Sequence, residues 1–476
     1  MISSAPQPTR TGQDPIAATT TTNCSHLRTA RPRAITSSPC LPSPMPRKST
    51  AEVTIRPPPS RTMSPAMNDC MPAKADAKVK AGATDIITPP SSPRRLSNAA
   101  ETEAKQAAPP CSGAGMQLRL PDMFASLMSI RPPINPHYKK VKAEAEEWTA
   151  RTLNLTPLQA LRNSKADFTF LVSWWAPNAD AEAVRTMVDW QHWAFPWDDQ
   201  FDEGHLKLDL AGAAAEVVHM TSLLDDTHPS LSLDQPGTDP IQYAFQQNWY
   251  RIRSRAGPAL RHRYKTYLKH YMLGVLGQVG SRSRDPRSLS VDEYLAFRRG
   301  TIGVMPCLCL VEYAEGIELP QYVVDHPSVA ACQQVAVDLV LLDNDILSYR
   351  KDLIEGEELN LINILRFSKG LTLQEAVDEM GRMITERYRI WYRALADMPS
   401  WGHKLDAEVL RYLDGCRRVA LGSLIWSFHT GRYFKDAEGE LVREEQKLWI
   451  PEELLAGIDG RPPKIQSEAL PEPVSL

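Results

Sequence analysis

From about residue 116 to 455, apolar residues recur three to four positions apart, the spacing of one face of a helix. The pattern predicts helices over 139–152, 179–202, 205–224, 240–255, 260–280, 290–301, 328–351, 372–395 and 406–430. Within 179–202, Val184, Met187, Val188 and Gln191 fall on one face. Pro306, Pro320 and Pro327 punctuate between helices. No alternating run long enough for a useful strand appears, and no repeat with a period of roughly 20–50 residues. The fold class is therefore all-α, with one large domain over 116–455.

Two helices end in a way that surface helices do not. The first ends in Trp190-Gln-His-Trp-Ala-Phe-Pro-Trp-Asp-Asp-Gln-Phe-Asp-Glu-Gly204. Four large aromatics, Trp190, Trp193, Phe195 and Trp197, lead into four carboxylates, Asp198, Asp199, Asp202 and Glu203. On a helix Asp198 and Asp202 stand about 6 Å apart along one face. Carboxylates that close repel each other unless a hard cation sits between them. A solvated acidic helix end is the alternative for an acidic pentapeptide taken alone. The aromatics, and a second site of the same build, argue for a cavity instead.

The second site lies at the end of the 328–351 helix. Asn344, Ser348 and Asp352 follow at i, i+4 and i+8, an amide oxygen, a hydroxyl and a carboxylate on one stripe. All are oxygen ligands suited to Mg²⁺. The stripe runs back through Val337 and Val340/Leu341, so an apolar wall again ends in a polar rim. Two such rims predict one cavity with an apolar floor and a mouth holding several Mg²⁺ ions, which suits a diphosphate. Arg298, Lys351 and the pair Arg432-Tyr433 are candidate donors for a diphosphate clamp.

Composition changes the picture at the N-terminus. Residues 1–115 contain no Phe, Trp or Tyr and hold 18 of the 39 prolines. Such a segment cannot bury enough apolar surface to offset its ordering entropy, and it is expected to be a disordered extension. It carries a net charge of +7, the remainder −10. The first fifty residues have one acid, Asp14, among six basic residues, a composition also found in organelle transit peptides. The plain extension and a cytoplasmic location are the preferred expectation. No apolar leader core appears, and no run reaches the roughly 18 apolar residues of a membrane span. Residues 456–476 are expected to be a disordered tail. Cys307, Cys309, Cys332 and Cys416 are expected as reduced core residues, the C-x-C at 307–309 being weak as a metal site.

Four spaced features resemble the class I terpene cyclases, specifically the fungal-type sesquiterpene synthases. Asp198-Asp-Gln-Phe-Asp202 looks like the family's aspartate-rich motif, and Asn344-Asp-Ile-Leu-Ser348-Tyr-Arg-Lys-Asp352 like its second metal motif. Arg298, in Phe297-Arg-Arg-Gly-Thr-Ile-Gly303, looks like the diphosphate sensor, with Arg299 an alternative, and Arg432-Tyr433 like the late Arg-Tyr pair. The resemblance covers roughly 118–451. One departure is Asp352, where the family usually has Glu; the shorter side chain draws the ion nearer the helix.

The resemblance implies a single class I terpenoid synthase bundle around a central apolar cavity. It implies a metal cluster of three Mg²⁺ held by Asp198, Asp202, Asn344, Ser348 and Asp352. Arg298, Lys351, Arg432 and Tyr433 would trap the diphosphate of a linear prenyl diphosphate. Phe195, Trp193 and Trp426 would face the carbocation that forms as the diphosphate leaves. Farnesyl diphosphate is the expected substrate. Geranyl diphosphate is the alternative, because Trp174, Trp175 and Trp193 are bulky enough to shorten the pocket. An isoprenyl diphosphate synthase would need a second aspartate-rich pentad near residue 344, which this chain lacks. An inactive helical binding protein is the non-enzymatic alternative. No nucleic-acid partner is expected, and the assembly is a monomer or homodimer.

Overall fold

The computed structural model describes residues 114–282 and 285–458. The expectations about the extension up to residue 113, the transit-peptide reading included, and about the tail beyond 458 lie outside the described residues. Gly115 already opens a strand, Gly115–Arg119, and the last described helix, Glu452–Ile458, runs past 455.

Helix dominates, and the elements start where local chemistry says they should. Asp180 caps the acidic-motif helix, Ala181–Asp202, by accepting from Ala183 N at 2.8 Å. Ser290 with Glu293, and Thr372 with Glu375, form capping boxes on Val291–Thr301 and Leu373–Ala396. Pro240, Pro258 and Pro327 take the first position of Pro240–Arg255, Pro258–Ser281 and Pro327–Leu347, where the missing N–H is not needed. Tyr138–Thr152, Leu210–Ser222 and His403–His429 complete the predicted set.

The structure departs from the periodicity in several places, among them short helices at Pro157–Ala166, Phe168–Ser173, Leu361–Lys369 and Glu438–Glu445 that the pattern does not predict. Val304–Glu315 is a further helix, with Pro306 inside its first turn rather than between helices. It is buried on nearly every side, so it carries no polar face and no visible period. The predicted 328–351 helix divides at Ser348 into Pro327–Leu347 and Tyr349–Glu355. The stepping survives the break: Ser348 N donates to Asn344 O at 2.8 Å and Asp352 N to Ser348 O at 2.9 Å. Finally, Gly115–Arg119 pairs antiparallel with Lys447–Pro451, Leu118 opposite Leu448. Each strand is five residues long, too short to show as an alternating run.

Pro327–Leu347 is the axis of the bundle. It packs against Leu373–Ala396 and His403–His429, and also meets Val304–Glu315 and Val291–Thr301. Sixteen of its 21 residues are buried. The Pro258–Ser281 and Val291–Thr301 helices touch through glycine: a Cβ on Gly274 would lie 2.5 Å from the Gly300 carbonyl oxygen. Larger side chains there would push the two helices, and the arginine between them and the axis, apart. Cys307, Cys309, Cys332 and Cys416 are all free and buried. Among the described residues no single helix is long and apolar enough to cross a membrane.

Candidate active site

One cavity of about 230 Å³ opens between the two motif helices. A shallower groove of about 750 Å³, near Pro121, Arg382 and Tyr392, is larger but contains none of the motif residues. Motif chemistry, not size, marks the first as the candidate site. On Ala181–Asp202 the cavity wall is Trp190, Gln191, Ala194, Phe195, Asp198, Asp199 and Asp202, a stripe stepping by three or four. Pro196 interrupts the hydrogen bonding of this helix where the apolar wall gives way to the acids.

Each acid of the first rim has its own protein partner. Asp198 Oδ1 accepts from Tyr271 Oη at 2.9 Å. Asp202 Oδ1 accepts from Gln278 Nε2 at 2.6 Å and faces Arg282 at 3.2 Å. Asp199 pairs with Arg432 at 3.1 Å, and Glu203 with Lys351 at 3.2 Å. Burial, followed by the charge of Asp202, drives the Asp198 carboxyl well above the usual range. Burial also raises Asp202, against the opposing pull of Arg282 and Arg298.

The second rim faces the first across the mouth. Asn344 Oδ1 accepts from Arg298 at 2.9 Å, and its Nδ2 donates to Tyr433 Oη at 2.7 Å. Ser348 Oγ donates to Asp352 at 2.8 Å, and Asn360 Nδ2 donates to the same oxygen at 2.9 Å. Burial pushes the Asp352 carboxyl up to about 7 although Lys351 pulls it down. Lys351 also meets Glu355. Arg298 lines the cavity, whereas Arg299, a hundred degrees round the helix, turns to Asp338 at 2.7 Å, beside Arg387. Of the two sensor candidates only Arg298 reaches the mouth.

The donor set suits a hard divalent cation. It is built from oxygens alone, its acidic pair is destabilised by burial, and Glu203 Oε2 is buried with no hydrogen-bond partner among the described residues. Residues 189–417 match the family model for terpene synthase family 2, C-terminal metal binding. Terpene cyclase 4 of Gibberella fujikuroi is 41% identical over 338 residues, 71% of this chain and 91% of that one. The (+)-eremophilene synthase of the same organism is 42% identical over 337 residues, covering 71% and 93%. The crystal structure of germacradien-4-ol synthase from Streptomyces citricolor superposes with a TM-score of 0.56 at 23% identity, covering 65% of this chain and 99% of that one, a likeness of fold. The chain belongs to the fungal-type class I terpene cyclases. It is a terpene synthase, a lyase acting on a prenyl diphosphate.

The cyclase's apolar wall corrects one expectation. Phe195 and Trp426 line the cavity, their ring centroids 5.6 Å apart, with Phe168 stacked behind Phe195 at 4.3 Å. Trp193 does not line it. Two residues from both Gln191 and Phe195, it projects from the opposite side of the helix. There it is fully buried against Phe245 at 4.6 Å and Trp190 at 5.5 Å. Of the three tryptophans expected to shorten the pocket, only Trp175 lines it; Trp174 packs edge-on against Phe170.

Several site residues of the cyclase escaped the sequence reading. Tyr271, Gln278 and Arg282, spaced i, i+7 and i+11, all reach the first rim. Arg282 also meets Glu357 at 3.3 Å, joining the end of the acidic motif to the segment after the second motif. Asp345 is buried beneath Arg298 at 3.6 Å and accepts from Tyr294 Oη at 2.6 Å. Their spacing placed Tyr271 and Gln278 on one helix face, but nothing in it named the facing helix. Gly303, at φ +68°, ends the Arg298 segment and sits 3.3 Å, measured from an added Cβ, off the Tyr271 ring. That left-handed turn exposes Thr301 and Ile302 to the cavity.

Proposed function

We propose that this cyclase ionises farnesyl diphosphate with Mg²⁺ and cyclises the resulting cation to a sesquiterpene. The observation that carries the reading is the convergence of both oxygen-rich rims and three cationic side chains on the mouth of one apolar-floored cavity. Asp198 and Asp202 from one side, and Asn344, Ser348 and Asp352 from the other, would hold three Mg²⁺ ions. Bound there, the ions would neutralise the diphosphate and stabilise it as a leaving group.

The chain's own residues supply the rest. Arg298, Lys351 and Arg432 donate charged hydrogen bonds to the diphosphate oxygens, and Tyr433 adds a hydroxyl. Arg432 must exchange Asp199 for the diphosphate, and Lys351 must exchange Glu203 and Glu355. Their positions on the acids keep both side chains at the mouth before substrate arrives. As the C–O bond breaks, charge moves from the diphosphate end into the cavity, where Phe195 and Trp426 present aromatic faces. The apolar lining excludes water that would quench the cation.

The test is incubation with ten-, fifteen- and twenty-carbon prenyl diphosphates, with and without Mg²⁺. The expected result is Mg²⁺-dependent diphosphate release and hydrocarbon product, fastest with the fifteen-carbon substrate. Preference for the ten-carbon substrate, or release without divalent metal, would overturn the corresponding half of the proposal.

A further inference from the structure

Below Phe195 the cavity wall contains a polar group that neither the metal motifs nor the diphosphate clamp uses. Gln191 lies two helical turns before Asp198, about 10 Å deeper along the same stripe. It is 3% exposed, between the apolar neighbours Trp190 and Ala194 on the cavity face. Its Nε2 donates to Cys307 Sγ at 3.8 Å, a long contact to a soft acceptor. Cys307 in turn donates to Gly303 O at 3.3 Å, which fixes the sulfur as that acceptor. Gln191 Oε1 accepts no hydrogen bond among the described residues, and Ser423 presents a second oxygen to the same cavity from His403–His429. Gln191 Oε1 is not sealed among protein atoms but opens to the cavity. A positive charge arriving beside it meets a dipole already in place, which needs no reorganisation.

We propose that Gln191 is a specificity-determining residue, whose amide oxygen sets where the migrating carbocation rests in the cavity floor and so which product skeleton forms. The inference rests on the cyclase reaction proposed above. Ionisation happens at the mouth, two turns away, so Gln191 acts on the product and not on diphosphate release. The carbon that holds the charge longest decides which flanking C–H bond breaks, its electron pair forming the alkene and its proton passing to the released diphosphate, and product identity follows from that choice.

The experiment compares wild type, Gln191→Met and Gln191→Leu with farnesyl diphosphate and Mg²⁺. It reads diphosphate release, the product distribution by gas chromatography, and the melting temperature. Methionine matches the shape and lacks the carbonyl. In both variants diphosphate release is expected to stay within about threefold of wild type, while the ratio of major to minor products changes by about tenfold, as for loss of one charge–dipole contact. An unchanged product ratio overturns the proposal. So does a parallel collapse of release and products in variants that keep the wild-type melting temperature. Wild type that releases no diphosphate at all removes the cyclase reading and this proposal with it, an outcome distinct from the other two.

Discussion

Replacing Arg432 with lysine keeps the charge at the mouth and removes the planar fork. In the resting protein the guanidinium spans Asp199, its two terminal nitrogens 3.1 and 3.4 Å from the two carboxylate oxygens, and lies 5.0 Å over the Phe195 ring. The same fork is expected to span two diphosphate oxygens. Inorganic pyrophosphate with Mg²⁺ at about 100 times its Kd stabilises a native protein by about 2.7 kcal/mol. Unfolding entropy of about 2.1 cal/mol/K per residue, over the roughly 340 described residues, gives about 0.7 kcal/mol/K. Wild type should therefore melt about 4 °C higher with both ligands. A hydrogen bond to a charged group is worth about 1.5–3 kcal/mol. Losing one of about 2 kcal/mol weakens binding about 30-fold and leaves a shift of about 1 °C. The assay is a melting series on Arg432→Lys and wild type with pyrophosphate, Mg²⁺, both and neither, each shift read against its own ligand-free baseline. Equal shifts in the two proteins refute the role given to Arg432. A full shift without Mg²⁺ refutes the metal cluster.

Asp198→Ala, Asn344→Ala and Ser348→Ala should each lower diphosphate release at saturating Mg²⁺ by about 100-fold or more, since each deletes a ligand; Asp352→Glu should remain active, and near-normal turnover in the first two would end the two-rim assignment. Trp193→Phe should lower stability by roughly 1–3 kcal/mol of core packing, read as a lower melting temperature, and leave the product ratio alone, whereas Phe195→Leu should alter turnover or products; the reverse pattern would mean that Trp193 meets the substrate after all. The Asp352 carboxyl, raised by burial to about 7, holds its proton in the native state where the unfolded chain has lost it. Metal-free stability should therefore fall as pH rises from about 4 through 7, and the joint Mg²⁺–pyrophosphate shift should shrink as pH drops from 8 to 6, because protons compete for the ligands. Asp352→Asn should flatten part of the metal-free dependence, and an unaltered pH profile would show that Asp352 does not contribute.

How much of the protein was legible before folding depends on the range of the interactions concerned. The motif stripes are local. Asp198 and Asp202, and Asn344, Ser348 and Asp352, are fixed in relative position by helical stepping alone, and even the break at Ser348 keeps that stepping. Several helix starts were readable to within two residues, because caps and N-terminal prolines act within one turn, but the helix expected from 205 begins only at Leu210 and the one expected from 406 already at His403. Val304–Glu315 was not, since a helix buried on all sides has no polar face to reveal its period.

Which face of a helix becomes a wall was decided by tertiary packing. Trp193 and Phe195 are both aromatic and two residues apart, yet one fills the packing against Phe245 and the other lines the cavity. Composition cannot separate them, because burial against a neighbouring helix and burial against a cavity require the same apolar surface. Arg298 and Arg299 are likewise chemically alike, and only the position of Asp338 on the axis helix draws one away. The pairing of Asp199 with Arg432, 233 residues later, and of Asp202 with Gln278 and Arg282, follows from which helices meet. The fold class, the two rims and the oxygen chemistry they offer could be read from the chain alone, because they depend on spacing along single helices. The cavity, its polar spot at Gln191 and the partners that hold each acid exist only once distant helices are brought together, and no local spacing encodes that distance.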